Sequence, residues 1–470
     1  MSYQVPQHID KNKVFIVNRS EIEGRLDAQY YNASVNIPNS IKLSSFALVK
    51  GGKRIPKGSS YSNEHTPYYY LRVADMDSDY DINYDELKCI DKDIFDILER
   101  YEIREGELAI SIAGTIGKVC VLHSIPIGKR VVLTENCAKI IVKSGANILT
   151  DYLNVLFLTS FIQKQLQLNY VQTTIPKLGL DRILNLRFPA IPSIELQTHI
   201  IQIIQSANTD KQKKESKAQQ LLDSIDTYLL NELGVSLPEV RNELKDRVFL
   251  LNRSELEGRF DPTVYKDGIK LISPKWDNEK LSKVAFVNPG GAYKGKTAET
   301  PISFVPMEVI DETFSEITTM DETTIEQASG FTKFREGDLL WAKITPCMQN
   351  GKSAIAKNLT NGLGCGSTEF FVMRPKDERL AIEYLHVILH MKCFRETAML
   401  YFGGSAGQQR VPASFLENFN LPLPPKGKQV EIANHVYELR QQAKCLQDEG
   451  KRILESAKRD VEQIIVQRDL

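Results

Sequence analysis

The chain has almost no net charge: 59 Lys and Arg stand against 60 Asp and Glu, leaving −1 over 470 residues. That excludes a basic coat protein holding nucleic acid by total charge. Any such contact has to come from local patches or from partner subunits. The seven cysteines, at 89, 120, 137, 347, 365, 393 and 445, are an odd number and contain no CxxC. Their spacing fits neither a zinc knuckle nor a disulfide framework, and reduced thiols in a cytosolic protein are expected. No apolar run approaches the ~18 residues of a membrane span. The opening MSYQVPQHIDKNK lacks the apolar core of a signal peptide, so a cytoplasmic protein is expected. Also absent are a Gly-x-Ser-x-Gly elbow, a Cys and His that sequence can bring together, and an Asn-Pro-Pro-Tyr-type methyltransferase loop. No catalytic residue, no metal site and no cofactor is therefore assigned to this chain.

What is present is ordinary globular material, 42% hydrophobic and 25% charged, arranged twice. Residues 14–31, VFIVNRSEIEGRLDAQYY, and 248–265, VFLLNRSELEGRFDPTVY, share eleven of eighteen positions at an offset of 234. A self-match at that period means two domain-sized units. The segment reads as structural, its apolar Phe15, Ile22, Leu26, Phe249, Leu256 and Phe260 docking it on its own domain. Partner docking is the alternative.

The rest of each half repeats in order. LSSFALVKGGKRIPKGSSY (43–61), β-like and then rich in Gly and Lys, matches LSKVAFVNPGGAYKGKT (281–297). The strand-like PYYYLRVADM (67–76) matches ISFVPMEVI (302–310). REGELAISIAGTIGKVCVL (104–122) matches REGDLLWAKITPCMQNGK (335–352), and TENCAKIIVK (134–143) matches GSTEFFVMR (366–374). The helical DYLNVLFLTSFIQKQLQ (151–167) matches EYLHVILHMKCF (383–394). The TTIPKLGL loop (173–180) matches GGSAGQQRV (403–411).

Each half ends in a long helix. Ile200, Ile203, Ala207, Ala218, Leu221, Ile225 and Tyr228 step by threes and fours around a polar middle, Asp210 to Lys217. Ile432, Val436, Leu439, Ala443, Leu446, Ile453, Ala457 and Ile464 do so again. A Pro followed five residues later by Gln precedes each helix: Pro192 with Gln197, Pro424 with Gln429. The expected fold is α+β, with mixed α/β recognition domains at 1–192 and 235–425 and long helices at 193–234 and 426–470. The two seams are expected to pack as an antiparallel coiled coil with pseudo-two-fold symmetry.

The paired REGELAISIAGTIGK and REGDLLWAKITPCMQNGK strands, the Pro-x-x-x-x-Gln starts of the long helices and the two-fold repetition resemble the specificity subunit of a type I restriction-modification enzyme. The resemblance covers nearly the whole chain. It implies a subunit that is not catalytic alone and whose two target-recognition domains read a split, asymmetric double-stranded DNA site. It further implies two copies of a methyltransferase subunit that bind S-adenosylmethionine, joined in the full enzyme by ATP-driven translocase-nuclease subunits. A dimerisation scaffold with no DNA role is the rival reading.

Candidate contacts are cations for phosphates and forked or amide side chains for base edges. Lys50, Lys53, Arg54 and Lys57 lie within eight residues, with no acid from Lys50 to Asn63. Arg72 ends an aromatic strand and suits a guanine edge or a nearby aspartate. Thr115 and Lys118 follow the AISIAGT strand. In the second half the candidates are Lys294, Lys296, Lys343, Thr345, Gln349, Asn350, Lys352, Gln408, Gln409 and Arg410.

Three motifs suggest other chemistry. Gly290 to Thr297, GGAYKGKT, has P-loop spacing, but strand-like PISFVPMEV follows where a helix is required. Asp75, Asp77, Asp79, Asp81 and Glu86 have EF-hand spacing, but Tyr80 stands where Gly is needed. His386, His390 and Cys393 share a helix face, read as packing because the first half has Asn154, Leu158 and Phe161 there.

Overall fold

A computed structural model describes residues 39–76, 82–169, 176–237, 264, 268–404 and 408–468. Apart from Val264, both NRSE-type segments lie outside the described residues, as do Asp77, Asp79 and Asp81. The chain forms two compact units. One runs to Lys213 and takes in Glu449 onward; the other spans Lys214–Asp448. Each unit thus holds part of both long helices, rather than one domain and its own helix.

The first unit runs β1 (Ile41–Lys42), α1 (Leu43–Phe46), β2 (Ala47–Gly51), β3 (Tyr68–Leu71), β4 (Lys88–Cys89), α2 (Lys92–Leu98), β5 (Glu102–Ile103) and β6 (Leu108–Ser111). It continues β7 (Val119–Val121), β8 (Arg130–Leu133), β9 (Cys137–Val142), α3 (Thr150–Leu158), α4 (Ser160–Asn169), α5 (Leu180–Leu184), β10 (Arg187–Phe188) and the start of α6 (Ile194–Leu233). One four-stranded sheet has the order β2-β9-β6-β7, all antiparallel. The other is β4-β3-β8-β5, with β3 and β8 parallel.

The second unit starts with the end of α6. It runs β11 (Asn278–Lys280), α7 (Leu281–Val284), β12 (Ala285–Val287), β13 (Pro301–Val305), β14 (Asp321–Thr324), β15 (Thr332–Arg335), β16 (Leu339–Ala342) and β17 (Ser353–Ile355). Then come β18 (Leu363–Gly366), β19 (Phe370–Pro375), α8 (Ile382–His390), α9 (Lys392–Met399), α10 (Ala413–Asn418), β20 (Asn420–Pro422) and α11 (Lys426–Arg468). Its four-stranded sheets are β12-β19-β16-β17 and β14-β13-β18-β15, again with one parallel pair, β13 and β18. The repeat seen in sequence is a repeat of topology. It breaks at α2, whose place between β14 and β15 is taken by turns.

The alternation of AISIAG follows from β6 lying between two cores. Leu108 and Ile110 pack with Tyr152, Leu153 and Leu156 of α3 and Ile200 of α6. Ala109 faces the other way, toward Leu71, Val131 and Leu133 of the second sheet. In the second unit, Leu339 and Trp341 face Tyr384 and Ile388 of α8, while Leu340 faces Val305 and Phe334. A strand buried on both faces has no polar face, so it reads as a continuous apolar run.

Two expectations change. The stretch 43–61 opens with a helical turn, α1, before its strand. The helix read over 151–167 is two, because Thr159 is extended (φ −65°, ψ 148°) and its N–H turns back to the Leu156 carbonyl, where its hydroxyl also donates. The second unit breaks likewise at Met391 (φ −53°, ψ 139°).

The Pro-x-x-x-x-Gln motif is a staple. Gln197 is fully buried; its amide nitrogen donates to the carbonyls of Pro192 and Asn147, and its oxygen accepts from Leu149 N–H, at 2.8–2.9 Å. Gln429 does the same with Pro424, Arg379 and Ala381, at 2.7–2.8 Å. Each fixes the first turn of a long helix to the loop that starts α3 or α8.

Within each unit the two helix segments run antiparallel. In the first, Ile200, Ile204 and Ala207 share a core with Leu454, Ala457, Val461 and Ile465, and Lys211 lies against Gly450. In the second, Ile225, Leu229 and Leu233 share a core with Ile432 and Val436. There Tyr228 meets the His435 ring at 4.3 Å, and Lys428 pairs with Glu232 at 2.9 Å. Such apolar seams, more than intrinsic propensity, hold helices of this length.

Candidate nucleic-acid interface

The REG[ED] turn that opens β6 and β16 is framework. Gly106 (φ +78°) and Gly337 (φ +81°) take the left-handed turn. The next carboxylate caps it: Glu107 accepts from Arg104 N–H at 2.9 Å and Asp338 from Arg335 N–H at 2.8 Å. Each acid also pairs with a cation on the central strand, Lys139 at 3.0 Å and Arg374 at 2.6 Å. The loops that carry most of the sequence candidates lie at the other end of these strands.

In the first unit they gather on the Thr134–Cys137 turn between β8 and β9. Gly52 N–H and Lys53 N–H donate to the carbonyls of Cys137 and Leu133, and Ile112 N–H donates to Asn136. A Cβ on Gly52 would sit 2.1 Å from the Thr134 carbonyl oxygen, so only glycine lets this loop cross so closely. Lys50, Lys53, Arg54 and Lys57 are exposed, as is Thr115. Arg54 donates through Nε to Glu135 at 2.5 Å. The loop of Pro176 to Leu178 joins by a bridge from Lys177 to Ala113.

In the second unit the corresponding turn is Ser367–Phe370. Lys343 N–H donates to the Glu369 carbonyl, Val411 N–H to Lys343, and Thr345 N–H to Gln409. The Lys343 ammonium reaches the Thr368 carbonyl at 2.8 Å and lies 5.3 Å over the Phe371 ring. Arg410 forks onto Glu369, Nε at 2.9 Å and Nη2 at 2.7 Å. That fork, outweighing burial, holds the Glu369 carboxyl below its usual range. Gln408 is exposed and Gln409 half-buried beside it. Lys294 and Lys296 project from a turn anchored by the Tyr293 hydroxyl on the Gly364 carbonyl at 2.8 Å.

Other candidates are tied into their own unit. Arg72 forks side-on onto Asp75 at 2.5 and 2.9 Å. Lys118 reaches the Met76 carbonyl at 3.3 Å, and Lys352 the Met307 carbonyl at 3.2 Å. Asn350 donates to Glu312 at 3.1 Å, while Gln349 lies by Met399 and its carbonyl takes Arg395. Lys177, exposed in the first unit, was not among the sequence candidates; by its bridge it stands where Arg410 stands in the second, which bridges Ile344.

A sequence model of the family described as "Type I restriction modification DNA specificity domain" matches residues 39–222 and again 275–448. The chain belongs to that family. Among curated proteins, this specificity-domain chain is 34% identical over 207 residues to the type I restriction enzyme EcoEI specificity subunit of Escherichia coli, covering 43% of this chain and 33% of that protein. It is 36% identical over 158 residues to the EcoAI specificity subunit of Escherichia coli, covering 33% of this chain and 26% of that protein. The matched region thus spans about a third or less of those relatives' length. Among solved structures it aligns with the S subunit of a type I restriction-modification system from M. genitalium: 11% identity, TM-score 0.40, 92% of this chain and 96% of that one. It also aligns with the HsdS subunit from Thermoanaerobacter tengcongensis: 16% identity, TM-score 0.36, 93% and 98% covered.

The motifs of other chemistry resolve into local structure in this specificity-domain chain. Lys296 and Thr297 leave a turn and lead into β13, so no helix N-terminus stands behind GGAYKGKT to cradle a phosphate. Both Asp75 oxygens are taken by Arg72. His386 is buried and meets the Ser353 hydroxyl at 3.1 Å. No helix among the described residues is long and apolar enough to cross a membrane.

Proposed function

We propose that this chain is the DNA-reading subunit of a restriction-modification assembly, each unit reading one half of a split, asymmetric double-stranded site. The observation that carries it is the pair of loop faces: one strand order given twice, with unlike side chains at the same turn. Lys53, Arg54 and Lys57 serve the first face; Lys343, Arg410 and Gln408 serve the second. A common scaffold with divergent loops is what two different half-sites require. The names of the curated relatives, both specificity subunits, support the role. Methyl transfer and ATP-driven work belong in this reading to partners: two methyltransferase subunits carrying S-adenosylmethionine, with ATP-dependent restriction subunits beside them. The chain itself contributes recognition, not catalysis.

The test is a genome-wide map of methylated bases in the host, with and without this gene. Loss of methylation at one split motif on deletion establishes the role. An unchanged map in a host whose methyltransferase subunit is active sinks it.

A further inference from the structure

Glu135 and Glu369 stand one position apart in equivalent turns: Glu135 is the second residue of Thr134–Cys137, and Glu369 is the third of Ser367–Phe370. Each follows a threonine, Thr134 or Thr368, in the turn that leads into the central strand, β9 or β19. Each holds an arginine, yet the arginines come from different loops: Arg54 from the one after β2, Arg410 from the one before α10. In each unit a carboxylate of this turn fixes a guanidinium, and the guanidinium reaches it by a different route.

The geometry at Arg410 shows what that fixing leaves available. A guanidinium has five N–H groups. Nε and one Nη2 proton go side-on to Glu369, and one Nη1 proton goes to the Gln408 carbonyl at 3.1 Å. One proton on Nη1 and one on Nη2 remain, and the side chain is 42% exposed. Two donors left on an orientated, exposed guanidinium suit the O6 and N7 acceptors of guanine in the major groove. Arg54 is fixed through Nε alone and is 79% exposed, so its terminal nitrogens are open as well. Pairing also matters for the acid. A bare carboxylate near the duplex would repel phosphate, whereas one forked by arginine is neutralised and stiffens the reader.

We propose that Glu369 and Glu135 are positioning residues that aim Arg410 and Arg54 at one guanine in each half-site. This rests on the proposed reading role. The two glutamates need not touch DNA; they act through the arginines.

The experiment is the methylation map of a host carrying this chain with its methyltransferase subunit, repeated with E369A, R410K, E135A and R54K. The expected result is that E369A and R410K relax the same G·C pair of one half-site, by about tenfold or more, as loss of a bidentate contact does. E135A and R54K should relax one G·C pair of the other half-site. The untouched half-site in each variant reports that the chain is folded and assembled. Lysine keeps the charge but cannot fork, so a phosphate role at Arg410 would leave R410K with unchanged preference and overturn the proposal. Relaxation at different positions in E369A and R410K overturns it too, because the glutamate would then read a base itself. A wild-type complex that marks no split site removes the reading role, and this proposal with it.

Discussion

The two units share a scaffold and differ in what decorates it, and the places where they agree are the buried ones. Gln197 and Gln429 make the same three bonds, and Glu107 and Asp338 cap the same turn. They part on the loops, and also where α3 or α8 faces the long helices. The cleft there is about 560 Å³ in the first unit, lined by Asn154, Gln205 and Asn208. In the second it is about 770 Å³, with His386, Tyr437 and Arg440 at the equivalent places. Two buried amides, Asn154 and Asn208, have become buried titratable groups, His386 and Arg440, without any change in topology. Satisfied buried bonds therefore set the fold, while single side chains are free to diverge around them.

The largest expected effect separates the two turns. Asp338 is 1% exposed and supplies the forked partner of Arg374, which is 13% exposed. Asp338→Ala strands a mostly buried guanidinium and is expected to cost about 3–5 kcal/mol. Glu107→Ala should cost clearly less, because Lys139 keeps the Glu102 carbonyl at 2.5 Å. Urea unfolding of both variants checks this; equal losses would mean that the two turns are energetically alike. Next come the staples. Gln429→Ala or Gln197→Ala leaves one N–H and two carbonyls without their partner in a buried site, for a loss of about 3 kcal/mol in each case. A marked inequality between the two would break the equivalence of the helix starts.

The third prediction uses the divergent cleft. Burial first, then the charges of Arg440 and Lys357, push the His386 imidazole down to about 3, against the Ser353 contact that raises it. The folded value lies below the usual 6.5, so the unfolded chain takes the proton first. Stability is full above pH 6.5 and falls as pH drops from there toward 3. By linkage the loss is about 2 kcal/mol at pH 5. His386→Asn, which installs the first unit's residue, should lessen the fall in melting temperature between pH 7 and 5, leaving the part that His390, depressed in the same direction, contributes. An unchanged slope would show that His386 is not the group being titrated.

These contrasts also show what sequence could carry. The strand order was legible because β6 and β16 bury both faces and keep their apolar runs. The helices were legible because their seams repeat. The break at Thr159 was not, since Met391 breaks the second unit's helix at the same point without a hydroxyl and no residue type marks it. The Pro-x-x-x-x-Gln motif was visible, but its reason lies about 50 residues away, at Asn147 and Arg379. The site was legible where a loop lacks acids, as at Lys53 and Lys57. It was hidden where the partner is distant: Glu135 is 81 residues from Arg54, and Glu369 is 41 from Arg410. Gln349 and Asn350 have the residue types of base readers, and no spacing foretold that Asn350 would donate to Glu312 and Gln349 lie by Met399. Lys177 matches Arg410 only through a β-bridge, which no spacing reveals.

The smallest effect tests the division between cations that aim and cations that attract. Lys57 and Lys294 are exposed, and neither side chain has a hydrogen-bond partner among the described residues, unlike Arg54 and Arg410. Nothing orientates their ammonium groups, so they suit phosphate, which asks for charge rather than direction. Lys57→Ala and Lys294→Ala should each weaken binding alike on every sequence and reduce the slope of log affinity against log salt by about 1. Titrations of the assembled complex on target and non-target duplexes at several salt concentrations read both quantities. If either lysine changed the ratio between target and non-target instead of the slope, attraction and aiming would not be separable by whether a side chain is held. The contrast between free lysines and buttressed arginines would then lose its physical basis.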